Sequence, residues 1–388
     1  MEHSLCLDTT LHWALIYEFN KQYSKTLSAL SRASHRLRRI TLSTPVLWSV
    51  ILMGYRFRPY PYELFVELSQ SHPLQVFLDY EPQLRDGEII WGHHRRWKSL
   101  HWKDLPLGFF PMQISLSFPA LEVLTIPGTN GVLKYFSSSQ MPRLKELTIH
   151  GNIIPSRPEF PFDLIDILTN CCETLRHLSL NIRDPLEAIY PKIDLPLIHS
   201  FRLHVIIPQN GANRTGATLQ SFRLPNLKRL FVNLNICSPH CPDGFFNNME
   251  FGESLHSLAL IVQFGTLQAR PFSIPFRSIA YHFPNVSELF IHSPASTTEQ
   301  LRECYMPNLL KLVIFKTQGK EDKFMEDILA FLRNRKMHWD EQKDCYVPLR
   351  LVIDHSIVYH GSIEQAVTDG LLVLDRCHGL WRTIDGMA

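Results

Sequence analysis

Nineteen histidines and eight cysteines among 388 residues are the groups of this chain that could bind metal, move protons or act as nucleophiles. Cys237-Ser238-Pro239-His240-Cys241 holds two thiols and an imidazole in one short run, the donor types of a zinc site. A structural zinc needs four ligands, and no second pair at finger-like spacing follows, so neither a metal nor a cofactor is expected. Cys171-Cys172 precedes an apolar strand pattern and is expected to fill core. The sequence has no phosphate-binding Gly-x-x-x-x-Gly-Lys loop, no Gly-x-Gly-x-x-Gly, no Gly-x-Ser-x-Gly elbow and no His-Glu-x-x-His. No catalytic residue is assigned, and the chain is not expected to be an enzyme.

Many histidines instead recur at fixed places in a repeated phrase. Its apolar positions are Leu121/Leu124/Ile126, Leu144/Leu147/Ile149, Leu175/Leu178/Leu180, Ile198/Phe201/Leu203, Leu227/Leu230/Val232, Leu255/Leu258/Leu260, Val286/Leu289/Ile291 and Leu309/Leu312/Ile314, with Trp97/Leu100/Trp102 ahead of them. Successive phrases start about 23 to 31 residues apart, close to the period of roughly 20–29 residues of a leucine-rich repeat. One such unit cannot bury its apolar ridge alone, so neighbours must stack around a shared core. The pattern predicts an α/β fold, a leucine-rich-repeat solenoid (horseshoe) with one short strand per phrase. The last two apolar positions of each phrase point to one side of that strand, and their neighbours point to the other. That second side carries His101, His150, His177, Arg202, His204, Arg229, Phe231, Phe290, His292 and Phe315, together with Ala259, Ile261 and Val313. It is expected to be exposed and to bind a client protein, since aromatic and Arg side chains are favoured at such surfaces.

Hydrophobic residues make up 45% of the chain, charged ones 20%, and the net charge is +2. No Lys/Arg tract dominates any segment, so nucleic acid is not an expected partner. No apolar run approaches the roughly 20 residues that a membrane-spanning helix needs. Met1-Glu2-His3 opens no signal peptide pattern, and the cysteines lack a disulfide framework; a cytoplasmic or nuclear location is expected. The sequons at Asn213 and Asn285 would then stay unmodified.

Trp13, Leu15, Ile16, Tyr17 and Phe19 suggest a short helix. Leu27, Leu30, Ala33 and Leu37 sit at helical spacing, with Arg36, Arg38 and Arg39 near that helix's end, where cations suit the dipole. Ser43-Thr44-Pro45 then begins a second segment. Helices are expected over Phe162–Leu168 and Phe324–Leu332, a strand over Leu349–Ile353 and a loop over Gln209–Thr218.

The run Arg38-Arg39-Ile40-Thr41-Leu42-Ser43-Thr44-Pro45-Val46-Leu47-Trp48 resembles the second half of the F-box motif in the mushroom-type fungal F-box proteins. Phe65 to Ser69, His72 to Asp79 and Arg95 to Leu100 resemble that family's connector helix, first strand and first repeat. The family's Leu-Pro-x-Glu-Ile-Leu-like opening has no counterpart before residue 28, and its Cys-x-x-Trp stands here as Ser34-His35-Arg36-Leu37. The resemblance implies a substrate-recognition subunit of an SCF-type ubiquitin ligase: the amino-terminal helices bind a Skp-type adaptor, which joins the cullin ligase, and the repeats hold the client. Leu42, Pro45, Leu47 and Trp48 are its adaptor contacts, although Trp48 could equally pack the junction with the repeats. The alternative is an adaptor-independent scaffold with a vestigial F-box. The implied organisation is an F-box-like segment over 1–55, a connector helix and first strand over 56–94, irregular repeats over 95–360 and a carboxy-terminal cap over 361–388.

Overall fold

A computed structural model describes residues 22, 25–27, 29–53, 62–78, 89–103, 116–128, 130–153, 160–183, 192–207, 221–236, 253–264, 272–273, 276–292, 296–297, 299–315, 321–342, 347–354 and 361–377. The expected helix around Trp13 to Phe19, the loop over 209–218, Cys237 to Cys241 and the first sequon, at Asn213, lie outside these residues. The chain is α/β and forms two compact units, residues 1–150 and 151–388.

In the first unit, β1 (Val50–Met53), β2 (Leu74–Leu78), β3 (Trp97–Trp102), β4 (Val123–Pro127) and β5 (Glu146–Ile153) lie side by side in chain order. All are parallel, as each must be when every connection returns to the same end of the sheet. The repeated apolar positions fall in register, Leu100 beside Leu124 and Leu124 beside Leu147. Each is at most 1% exposed.

The second unit repeats the arrangement. Its ladder runs β6 (His177–Arg183), β8 (Ser200–Ile207), β10 (Arg229–Ile236), β11 (Ser257–Phe264), β13 (Glu288–His292), β15 (Lys311–Phe315), β16 (Leu349–Asp354) and β17 (Leu372–Cys377). Short parallel pairs join β7 (Ile193–Asp194) to β9 (Phe222–Arg223) and β12 (Phe272–Ser273) to β14 (Ser296–Thr297). The helix Phe160–Cys171 buries Leu164, Ile167 and Leu168, and the 22-residue helix Glu321–Gln342 buries Ile328, Phe331 and Leu332. Both extend the helices expected there.

The proline of the phrase has a local cause. In Phe118-Pro119-Ala120-Leu121, Leu195-Pro196-Leu197-Ile198, Leu224-Pro225-Asn226-Leu227 and Met306-Pro307-Asn308-Leu309, the fourth N–H donates to the first carbonyl at 3.2, 3.3, 3.2 and 3.3 Å. Pro suits the second place of such a turn because its φ is already set. The first and fourth side chains are buried by the turn. The third residue staples one repeat to the last: Asn226 Nδ2 donates to Pro196 O at 2.8 Å, Asn285 Nδ2 to Glu253 O at 2.7 Å and Asn308 Nδ2 to Pro284 O at 3.1 Å.

One expectation is corrected, and two segments are filled in. The single helix around Leu27 to Leu37 is interrupted at Ser34, whose extended backbone (φ −158°, ψ 157°) makes it the N-cap of a separate helix His35–Leu42; its Oγ accepts from Leu37 N at 3.1 Å. The strand β1 lies inside the supposed 1–55 segment and pairs with β2, so that segment continues into the sheet. The supposed cap over 361–388 adds a further helix and strand. The helix Gly361–Thr368 ends at Gly370 (φ +67°), where Gly370 N donates to Val367 O and Leu371 N to Ala366 O. This turn delivers β17 onto β16, with Leu372 beside Leu349 and Leu374 beside Leu351.

Candidate functional site

The amino-terminal surface is built from two short helices. Along His35–Leu42 only Thr41 is buried, and its Oγ1 donates to Leu37 O at 2.8 Å. The 3-10 turn Pro45–Trp48 begins with Pro45, placed where a missing N–H costs nothing. Leu42 and Val46 are exposed, Pro45 and Leu47 half-buried. Trp48, one of the expected adaptor contacts, is corrected: it is 1% exposed, packs edge-on against Phe65 at 5.2 Å and donates its Nε1–H to Thr41 O at 2.8 Å. A Trp this close to the first strand finds a partner for both its ring and its N–H inside, so it holds the junction. Ile40 and Val46, at 49% and 54% exposure, are the more open apolar side chains, and the resemblance alone did not single them out.

On the first unit's non-core sheet face, the His101 ring stacks on Phe77 at 4.7 Å and its Nδ1 lies 3.2 Å from Thr125 Oγ1. His150 Nε2–H donates to Trp102 O at 2.6 Å. Both imidazoles are half-buried; His101 ties β3 to its neighbours β2 and β4, and His150 reaches from β5 past β4 to β3.

The corresponding face of the second unit is ordered by register. His177, Ser200, Arg229, Ser257, Glu288, Lys311 and Arg350 form its first row; Ser179, Arg202, Phe231, Ala259, Phe290, Val313 and Val352 form its second. His177 and Arg229 are exposed, and the Arg202 guanidinium lies 5.7 Å from the centre of the half-buried Phe231 ring. Phe290 is a correction. It is 1% exposed and belongs to a second apolar cluster with Ala259, Ile261, Val313 and Val352, so this stretch of the face is core. Four apolar side chains side by side on parallel strands about 4.8 Å apart cover one another. His292 is half-buried, and the Phe315 side chain lies outside the described residues.

The third row pairs Asn181 with His204 and His204 with Asn233; the fourth pairs Asn235 with Gln263. Asn181 Oδ1, His204 Nε2, Asn233 Oδ1, Asn235 Oδ1 and Gln263 Oε1 are all withdrawn from water, and none meets a hydrogen-bond partner among the described residues. Sequence reasoning set Asn181 and Asn233 among the exposed strand positions and assigned no role to Asn235 or Gln263. Asn235 and Gln263 stand beyond the end of the phrase, and the only signal for them is the continued alternation through Leu234 and Val262.

Burial lowers the His204 pKa to about 4, so the folded state holds this imidazole neutral. An unfolded His titrates near 6.5. Between those values the unfolded chain binds more protons, and stability must fall as pH drops from 6.5 towards 4. Water reaches part of the ring, which keeps the expected loss to about 1–2 kcal/mol. Urea denaturation at pH 7 and pH 5 checks this: His204→Gln should lose less stability on acidification than the natural chain, and equal slopes would refute the assignment.

The Cys171 thiol donates to Ile167 O at 3.0 Å, and burial pushes its pKa up to about 12, so it fills core as a neutral group. Among the described residues, no three His, Cys, Asp or Glu side chains converge as a metal site, and no helix is long and apolar enough to cross a membrane. No protein-family model and no curated protein matches this chain.

Proposed function

We propose that this chain is a leucine-rich-repeat solenoid entered through an F-box-like segment, and that it acts in the cytoplasm or nucleus as the substrate-recognition subunit of an SCF-type ubiquitin ligase. The observation that carries the reading is an apolar surface on the amino-terminal helices that nothing among the described residues covers. Leu30, Leu37, Ile40, Leu42 and Val46 are 39%, 37%, 49%, 37% and 54% exposed, and the last three stand in the run that resembles the F-box. A helix of two turns is marginal in water by itself, and burial of these side chains against a Skp-type adaptor would stabilise it. The repeats then hold a client protein near the cullin ligase. The mechanism is proximity, which raises the client's effective concentration at the transfer machinery and needs no catalytic side chain from this chain.

The test is retention of the full chain by a purified Skp-type adaptor, with Leu37→Asp/Ile40→Asp alongside. The double variant should lose at least tenfold in affinity while its thermal unfolding stays within a few degrees of the natural chain, because both side chains already face water. Absence of binding by the folded natural chain favours the second reading, an adaptor-independent scaffold. The observation on that side is the tie of Trp48 to Phe65 and of β1 to β2, by which residues 48–53 close the first edge of the sheet.

A further inference from the structure

The amino-terminal helical surface carries positive charge that the adaptor reading leaves without a role. From Phe19 to Tyr62 the sequence holds eight Lys/Arg and no Asp or Glu, the cations set singly or in pairs among other residues. Lys25, Arg32, Arg36, Arg38 and Arg39 are all exposed. Elsewhere exposed arginines meet carboxylates, as Arg223 meets Asp194 and Arg277 meets Glu303. Arg32, Arg36, Arg38 and Arg39 join no ion pair among the described residues. Along the helix His35–Leu42, residues three and four apart are neighbours. Arg39 therefore flanks Arg36, Arg36 flanks Ile40, and Ile40 flanks Leu37. Cations and open aliphatic side chains share one strip, on a helix whose single buried residue is Thr41.

We propose that this surface rests on an anionic membrane, with Leu37 and Ile40 at the boundary of the acyl chains and the arginines among the lipid phosphates. Eight helical residues rise only about 12 Å, against a hydrocarbon core of about 30 Å, so the helix lies on the bilayer without crossing it. An interfacial helix sinks its apolar side about 5–10 Å into that boundary and keeps its Lys/Arg at headgroup level. Long arginine side chains reach back to the headgroups from beside an apolar neighbour, which is the arrangement of Arg36 and Ile40. Anionic lipid is concentrated in the cytoplasmic leaflet, and clusters of roughly 4–8 Lys/Arg on such a helix suit it. A nucleic acid would engage the arginines through its phosphates and leave the aliphatic side chains in water. A protein partner favours charge at the rim of its interface, whereas here the cations stand within the apolar strip. Leu37 and Ile40 serve both this inference and the adaptor reading; the arginines serve only this one.

The experiment is co-sedimentation of the full chain with vesicles of equimolar phosphatidylserine and phosphatidylcholine, and with vesicles of phosphatidylcholine alone. The mixed vesicles should retain the protein at least tenfold more tightly than the neutral ones, and less so as added salt screens the headgroups. Arg36→Gln/Arg39→Gln and Leu37→Asp/Ile40→Asp should each weaken retention at least tenfold, and Arg36→Lys/Arg39→Lys should keep it. All four positions are exposed, so the thermal unfolding of each variant should stay within a few degrees of the natural chain, which separates lost binding from lost fold. No retention, equal retention by neutral vesicles, or indifference to either weakening variant would each overturn the proposal. Equally tight binding of a labelled DNA duplex or of a labelled Glu-rich peptide, read by fluorescence anisotropy, would overturn it too and assign the cations to a polyanion in solution. Adaptor retention measured on the same preparation separates the two ideas: vesicle binding without adaptor binding removes the ligase role alone, and the converse removes this inference alone.

Discussion

Replacing Trp48 with alanine is expected to cost about 3–5 kcal/mol of folding stability, the range for truncating a buried Trp, and so to lower the thermal midpoint by many degrees. The ring is 1% exposed and meets Phe65 edge-on, and its N–H satisfies Thr41 O near the end of the helix His35–Leu42. Truncation leaves a cavity and takes the shorter of two hydrogen bonds from the Thr41 carbonyl, which keeps Thr44 N at 3.4 Å. Trp48→Phe should recover most of the packing and lose the hydrogen bond, worth about 1 kcal/mol. Thermal denaturation followed by circular dichroism separates these outcomes from a surface role, for which Trp48→Ala would shift stability by no more than about 0.5 kcal/mol. Loss of adaptor binding by a Trp48 variant would therefore report unfolding, which is why Leu37 and Ile40 are the informative positions for that interface.

Phe290→Ala should be comparably severe, again about 3–5 kcal/mol. Its strand partners in register are Ala259 and Val313, and the cluster they share with Ile261 and Val352 lies on the face opposite the Leu289 and Ile291 side chains. The urea midpoint of Phe290→Ala decides between a core and a recognition role; an unchanged midpoint would return Phe290 to the binding surface. Arg229→Ala, on the same sheet face but exposed, serves as the control that should leave the midpoint alone.

The contrast between these two positions and the phrase around them marks how far sequence reasoning reached. Leu-x-x-Leu-x-apolar specifies which side chains turn inward, because alternation along a strand and the Pro turn before it are local geometry. Every such position in the ladder from Leu121 to Ile314 is buried. Sequence also anticipated the helices at Phe160–Cys171 and Glu321–Gln342 from apolar spacing. It missed the break at Ser34, where a cap competes with a continuous pattern, and the last strand, where Leu372 and Leu374 stand alone without the full phrase.

For the candidate site the division is sharper. The sequence placed His177, Arg202, His204, Arg229 and Phe290 on one face, since that requires only the period of two. Whether each is open there depends on what lies beside it on other strands, tens of residues away in the chain. Neighbouring apolar residues close over Phe290, a partner 5.7 Å off engages Arg202, and burial silences His204 as a base near neutrality. Periodicity along one strand carries no information about its neighbours across the sheet, so the strand pattern was legible in the residues, and the exposure, pairing and protonation of the face were decided only by tertiary structure.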